Sequence, residues 1–251
     1  MRALLFIALA VSAAFGQPQS ELQKLKVSDV QLSIVKIVVA GIGPAGYTSV
    51  GTGFFVSDHE IASASHVYLE AAKAMVDSGA GTIAALRLLP DGKRVAFALQ
   101  FCAADFVHDT VLLAFDPEIP KKAGLEVKPL KYDETKLEIG DDVAFFGYFA
   151  GDEEPILSRT ILAGYTTAVP GTNSTPEQMI LGLPANPGQS GSPVFSLLTG
   201  DVVGILTAFV PVTLVPGSLP THSGLSRSVE VVHLKRLIES EEVRCACQTR
   251  N

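Results

Sequence analysis

The sequence predicts an all-β chain, and three features carry that expectation. Apolar runs of strand length recur along the chain, each closed by glycine, proline or small polar residues; the 251 residues hold 22 Gly and 15 Pro. Strand follows strand, without the regular alternation of strand and helix that builds parallel sheets. Hydrophobic residues make up 47% and charged residues 18%, a balance that suits a filled core and not a disordered chain. The length suits one large β unit such as a double barrel. No internal repeat, low-complexity tract or second domain is visible.

The elements follow in order. Met1 and Arg2 precede an apolar run from Ala3 to Phe15. One positive charge, a run too short to span a bilayer comfortably and small residues at its end describe a signal peptide over 1–16, cleaved after Gly16 or, as the alternative, after Ala14. No cysteine follows the run to carry a lipid. A secreted or periplasmic protein without a stable membrane anchor is expected, with 17–251 as the mature chain. Val35–Ala40 alternates as a first strand, and strands near 52–56, 60–65, 94–102 and 110–115 complete a first group. Val67 to Val76 is helical in propensity. Residues 118–139, with Pro120, Gly124 and Pro129, read as a linker. A second group of strands falls near 142–148, 155–169, 178–183, 193–197, 202–209 and 222–226. Gly171–Pro176 is a loop, and the formal glycosylation sequon at Asn173 within it is read as inert. Val229 to Ser240 places Val231, Leu234 and Leu237 on one stripe and reads as an amphipathic closing helix.

The formal net charge of −7 argues against binding nucleic acid or an acidic membrane through a general field. The short basic pairs Lys121-Lys122 and Lys235-Arg236 read as solvated faces. Cys245 and Cys247 lack the two-residue spacing of a zinc or redox pair. Two readings stay open for Cys102: a bridge to one of these tail cysteines, or a buried thiol. Gly41, Gly43 and Gly46 form a GxGxxG pattern after a strand, but β-rich sequence follows where a nucleotide site needs a helix. The segment reads as a hairpin loop.

The chemistry concentrates in Asn186-Pro187-Gly188-Gln189-Ser190-Gly191-Ser192-Pro193. A serine hydroxyl is a weak nucleophile and needs a base beside it and hydrogen-bond donors behind it. Gly188, two residues ahead of Ser190, lets the backbone turn so that its N–H and that of Ser190 point into one small space, suited to the oxyanion of an attacked carbonyl. Upstream, His66 closes Glu60–Val67 and Asp109 opens an apolar strand. The order His, Asp, Ser is the one built on paired β-barrels. His108 is a rival base, although alternation lets only one of residues 108 and 109 face the site. His59, His222 and His233 read as solvated or structural.

At these residues the chain resembles the chymotrypsin-fold (trypsin-like) serine peptidases, most closely the bacterial HtrA-type (Deg-like) branch. Gly51–Ser57 followed by Ile61–Val67 resembles that family's glycine-rich strand and histidine segment. Asp105 with Asp109 resembles its aspartate segment, Gly140–Tyr148 the strand that opens its second barrel, Pro187–Pro193 its serine segment, and Gly200–Thr207 the strand after it. Ser192 stands where the family usually has a second glycine, and Thr110 and Val111 replace commoner neighbours of the aspartate. Too few residues follow Ser190 for the PDZ domain that such relatives often carry.

The resemblance implies two six-stranded Greek-key barrels, about 30–118 and 138–228, packed with the active site between them and closed by a helix at about 229–240. It implies a secreted endopeptidase that acts on proteins or peptides through an acyl-enzyme, with no metal or cofactor. Ser190 would be the nucleophile, His66 the base, Asp109 its orienting acid, and the Gly188 and Ser190 amides the oxyanion donors. The pocket for the residue before the cut would be walled by Pro184, Ala185, Thr207, Ala208, Phe209 and Gly224; none is acidic, so small or medium apolar side chains are expected. Gln189 leaves no carboxylate to pair with a newly cut N-terminus, so activity without a propeptide cut is expected. Two alternatives remain: a catalytically silent binding protein on the same fold, and an α/β-hydrolase esterase. Oligomeric state is not legible.

Overall fold

The structure, a computed structural model, describes residues 27–149, 151–166, 178–212 and 221–240, without the side chains of 209, 211, 212, 221 and 222. The signal-peptide expectation, the Asn173 loop and the tail cysteines lie outside these residues. After a short helix α1 (Val27–Leu32), the first half of the chain forms β1 (Ile34–Ala40), β2 (Tyr47–Phe55), β3 (Glu60–Ser63), helix α2 (Ser65–Ser78), β4 (Thr82–Leu88), β5 (Arg94–Ala98), β6 (Gln100–Asp105) and β7 (Thr110–Ala114). These strands make one antiparallel sheet in the order β5-β4-β1-β2-β3-β7-β6. It has seven strands where six were expected, because the run 94–102 breaks at Leu99. Leu99 is buried, and its N–H donates to Ile83 O at 2.8 Å. The chain turns a corner there, so the two edges of the sheet are joined by continuous chain and not by a ladder.

The segment from 118 carries a short helix α3 (Glu118–Lys122) and then runs irregularly to the second half. It is not a free linker. Leu125 and Leu137 are buried, Leu130 N–H donates to Phe55 O at 2.9 Å, and Tyr132 bridges to Val202. The second half holds β8 (Asp142–Tyr148), β9 (Pro155–Tyr165), β10 (Met179–Leu181), β11 (Pro193–Ser196), β12 (Val202–Val212), β13 (Thr221–Glu230) and the closing helix α4 (Val231–Glu239). These six strands form a closed antiparallel barrel, β10-β13-β12-β11-β8-β9. The antiparallel pairing of every described strand rules out the α/β-hydrolase alternative, which needs parallel strands with helical crossovers.

Each half buries its own apolar cluster, centred on Ile37, Phe55 and Phe97 in the first and on Phe145, Leu162 and Leu206 in the second. A third cluster joins Ile34, Phe54 and Ala62 of the first sheet to Phe146, Tyr148, Phe195 and Ile205 of the barrel. This shared core fixes the two halves against each other, and the predicted catalytic residues meet at their junction.

Candidate active site

His66 lies in the first turn of α2. Its imidazole Nδ1 is 2.7 Å from Asp109 Oδ2, while its own backbone N–H donates to Asp109 Oδ1 at 2.9 Å. Ser65 Oγ donates to the same Oδ1 at 2.8 Å. The carboxylate is thus held from three directions at the positive end of a helix. Asp109 has φ 49°, the one non-glycine residue with positive φ among the described residues. Such strain persists where the surroundings over-determine it. Here the carboxylate is pinned to α2 and the Asp109 carbonyl accepts from Ser65 N–H at 3.2 Å. His108 points elsewhere: its Nδ1 is 2.6 Å from Asp105 Oδ2, and its ring stacks on His233 of α4 at 3.6 Å and 11°.

Burial alone pushes the His66 pKa down, but the hydrogen bond and charge of Asp109, helped by Glu70, prevail and raise it above the ordinary value. Burial likewise pushes Asp109 up, and its bonds from His66 and Ser65 prevail and lower it. An imidazolium is therefore favoured beside a carboxylate, as a base that accepts a proton from a nucleophile requires.

The serine loop is held by its carbonyls. Thr52, fully buried on β2, is the anchor: its N–H donates to Ser190 O and its Oγ1 to Gly188 O, both at 2.8 Å. Gly191 N–H donates to Leu206 O at 2.7 Å, and Ser192 N–H to Gln189 O at 3.1 Å. Gly188 has φ 92° and Gly191 φ 86°, left-handed conformations that favour glycine. A Cβ on Gly191 would come within 2.1 Å of Thr52 O. Among the described residues the N–H groups of Gly188 and Ser190 have no acceptor, whereas those of Gln189, Gly191 and Ser192 do. Two free donors two residues apart can hold an oxyanion. The Ser190 hydroxyl itself donates to Thr207 O at 3.1 Å and not to His66. Loose catalytic hydrogen bonds are common in sites without substrate.

His66 and Ser190 line one cleft of about 400 Å³, with Ala185, Asn186, Gly188, Thr207 and Ala208 among its other walls. Of the pocket residues expected from sequence, Ala185, Thr207 and Ala208 are there. Pro184 and Gly224 are not among the lining residues, and the Phe209 side chain lies outside those described. Asn186 and Val50 take part instead. Gln189 is buried, and its Oε1 accepts from Asn186 N–H at 2.9 Å. Sequence reasoning missed Thr52, although it sits inside the Gly51-Thr52-Gly53 motif, and it missed Ser65, Glu70 and Arg227.

The trypsin-like peptidase domain family matches residues 51–205, which include His66, Asp109 and Ser190, the three residues expected from sequence to form a triad. Solved structures share the fold at low identity. The chain is similar to Deg5 (18% identity, TM-score 0.61, covering 86% of this chain and 89% of that one). It is also similar to the active form of the Rv3671c protease of M. tuberculosis (17%, 0.58, 86% and 84%) and to the HtrA-type protease AlgW with a tripeptide (18%, 0.58, 85% and 62%). A comparison with curated proteins gives no match by sequence. Among the described residues no helix is long and apolar enough to cross a membrane. With a family match over more than half of its length and two antiparallel β units meeting at the predicted triad, the chain belongs to the trypsin-like peptidase family.

Proposed function

We propose that this protein is a secreted serine endopeptidase in which Ser190 attacks the peptide carbonyl, His66 takes the serine proton and passes it to the leaving amine, and Asp109 orients the imidazole. The Gly188 and Ser190 amides stabilise the oxyanion. Water then hydrolyses the acyl-enzyme with His66 as base again. No cofactor takes part in these steps. The observation that carries the reading is His66, paired with Asp109 at 2.7 Å, facing the same cleft as Ser190 and the unpaired amides of Gly188 and Ser190. Protein or peptide substrates follow from the family. Val50, Ala185, Pro187 and Ala208 give the cleft an apolar part, and its one acidic lining residue, Glu70, is exposed to solvent; this supports cleavage after small or medium apolar residues.

The Ser190 hydroxyl directed at Thr207 O favours a second reading, a catalytically silent protein that holds peptides in the same cleft. One experiment separates the two. The purified mature protein, Ser190→Ala, His66→Ala and Asp109→Asn are assayed on a peptide library varied at the residue before the cut. The proposal expects cleavage after Ala, Val or similar residues and a loss of roughly 10⁴-fold or more in each variant, with thermal stability retained for Ser190→Ala. Turnover surviving in a folded Ser190→Ala, or dominant cleavage after Arg or Lys, contradicts it.

A further inference from the structure

A second recess of about 320 Å³ adjoins the cleft, with His66, Glu70 and Asp109 on one side and Gln178, Ala208 and Arg227 on the other. Two polar groups in its walls are unpaired. Arg227 Nε and Gln178 Oε1 are both shut off from solvent without a hydrogen-bond partner, and Gln178 is only 8% exposed. Arg227 makes no ion pair among the described residues. A half-buried guanidinium without a direct ion-pair partner is costly, and a buried amide oxygen without a donor adds to the cost. Neither group has a role in the triad.

The place of Arg227 follows from strand register. β12 pairs with β13 so that Ala208 lies opposite Arg227, and cross-strand partners share a face. Ala208 is exposed, and its methyl group is too short to cover a guanidinium. Beyond Leu206, β12 has β13 along one side and, among the described residues, no strand along the other. That free edge runs beside Ser190. An extended peptide that adds to it alternates its side chains between two faces. If the residue before the scissile bond turns towards Ala185 and Asn186, the residue preceding it turns to the opposite face, over His66 and towards Arg227.

We propose that this recess is a carboxylate-binding subsite, in which Arg227 and Gln178 take an Asp or Glu side chain at the second residue before the cut. The inference rests on the peptidase reading for its register. The guanidinium offers its terminal N–H groups, which are not among the atoms shut off from solvent, to the carboxylate as a charge-assisted pair. Gln178 Nε2, which is not among the atoms shut off from solvent, offers an N–H to the ligand as well. Two acids also face the recess. Asp109 is already engaged by His66 and Ser65, and Glu70 is exposed, so solvent screens it more than it screens the partly buried arginine.

The test is a set of peptides that hold one apolar residue before the cut and place Glu, Gln, Ala or Lys at the position preceding it. Cleavage is measured with the full mature protein, and binding of the same fluorescent peptides with Ser190→Ala. The subsite predicts that Glu exceeds Ala by roughly tenfold to a hundredfold in kcat/KM and in affinity, with Lys the poorest. Arg227→Met should erase the difference between Glu and Ala, and Arg227→Glu should reverse the order in favour of Lys, a gain that a misfolded variant would not show. Equal use of Glu and Ala, or a preference that Arg227→Glu leaves in place, overturns the inference. If no peptide is cleaved, the peptidase reading fails by itself, and the binding series with Ser190→Ala still decides the subsite: Glu favoured upholds it, equal affinities overturn it.

Discussion

His66 stands under opposed influences. Burial disfavours its cation, while Asp109 and Glu70 favour it and prevail. For catalysis the imidazole must begin neutral, so the acidic limb of kcat/KM is expected above the ordinary histidine value of 6.5. Glu70→Gln removes one of the two negative charges that raise the pKa, so the limb should move to lower pH; a limb that stays in place would show that Glu70 has no part in the tuning. Stability runs by the same linkage. A raised His66 pKa contributes stability that is complete below 6.5 and is lost as pH rises through the folded value. A lowered Asp109 pKa contributes stability present above 3.8 that is lost as pH falls through the folded value. The positions proposed for the triad were marked locally, His66 and Ser190 by runs of small residues and Asp109 by the apolar strand it opens. Arg227 was not: its exposure to the recess depends on a cross-strand partner, Ala208, that is far away in sequence.

Strands and helices were legible wherever apolar alternation met turn residues. β8 was read as 142–148, which is its observed span, and the helical propensity after His66 extends to a 14-residue α2 closed by Gly79 at φ 63°. β4 was not read. Its centre, Ala84-Ala85, has weak β-propensity, and the strand is settled by pairing with β1 and β5 on its two sides. The departure at Ser192 also has its explanation at this scale. Val194 pairs with Phe145, so two residues further along the ladder Ser192 meets Gly147. The fully buried Ser192 fills the space above that glycine and donates from Oγ to Gln189 O at 2.6 Å. A Cβ on Gly147 would lie 1.8 Å from Ser192 Oγ. Gly147→Ala is therefore expected to destabilise by about 1–3 kcal/mol, and adding Ser192→Gly should restore much of the loss. Denaturant unfolding of the single and double variants checks this coupling; equal losses in both would separate the two positions.

Across the whole molecule, the site depends on one half of the chain holding the other. Thr52 of the first sheet binds both carbonyls of the serine loop, and its Oγ1 accepts from Tyr148 N–H at 2.9 Å. Two buried cations reinforce the junction: Arg87 donates to Tyr148 Oη at 3.0 Å and to Ile34 O at 3.2 Å, and Lys36 reaches Asp152 O while its ammonium lies 5.1 Å from the Tyr148 ring centre. The closing helix returns to the first sheet through the His108–His233 stack. Burial and the charge of His108 lower the His233 pKa to about 4, which keeps that ring neutral near neutral pH. Asp105, His108 and His233 bring three donor atoms within 4.8 Å, yet parallel rings direct their lone pairs side by side and not at one point, so the cluster reads as a clasp. Cys102, next to the same helix in the apolar cluster with Leu237, is disulfide-bonded. The double β architecture was legible from motif order, but the corner at Leu99 and these contacts between halves were not, because they arise only when distant strands meet. The central claim is that this junction turns Ser190 into a nucleophile. Its most direct measurement is titration with a fluorophosphonate, read by intact mass and peptide mapping. The account predicts one adduct per chain, on Ser190, absent in Ser190→Ala and much slower in His66→Ala. A folded protein that takes no label, or one whose label survives in Ser190→Ala, would contradict it.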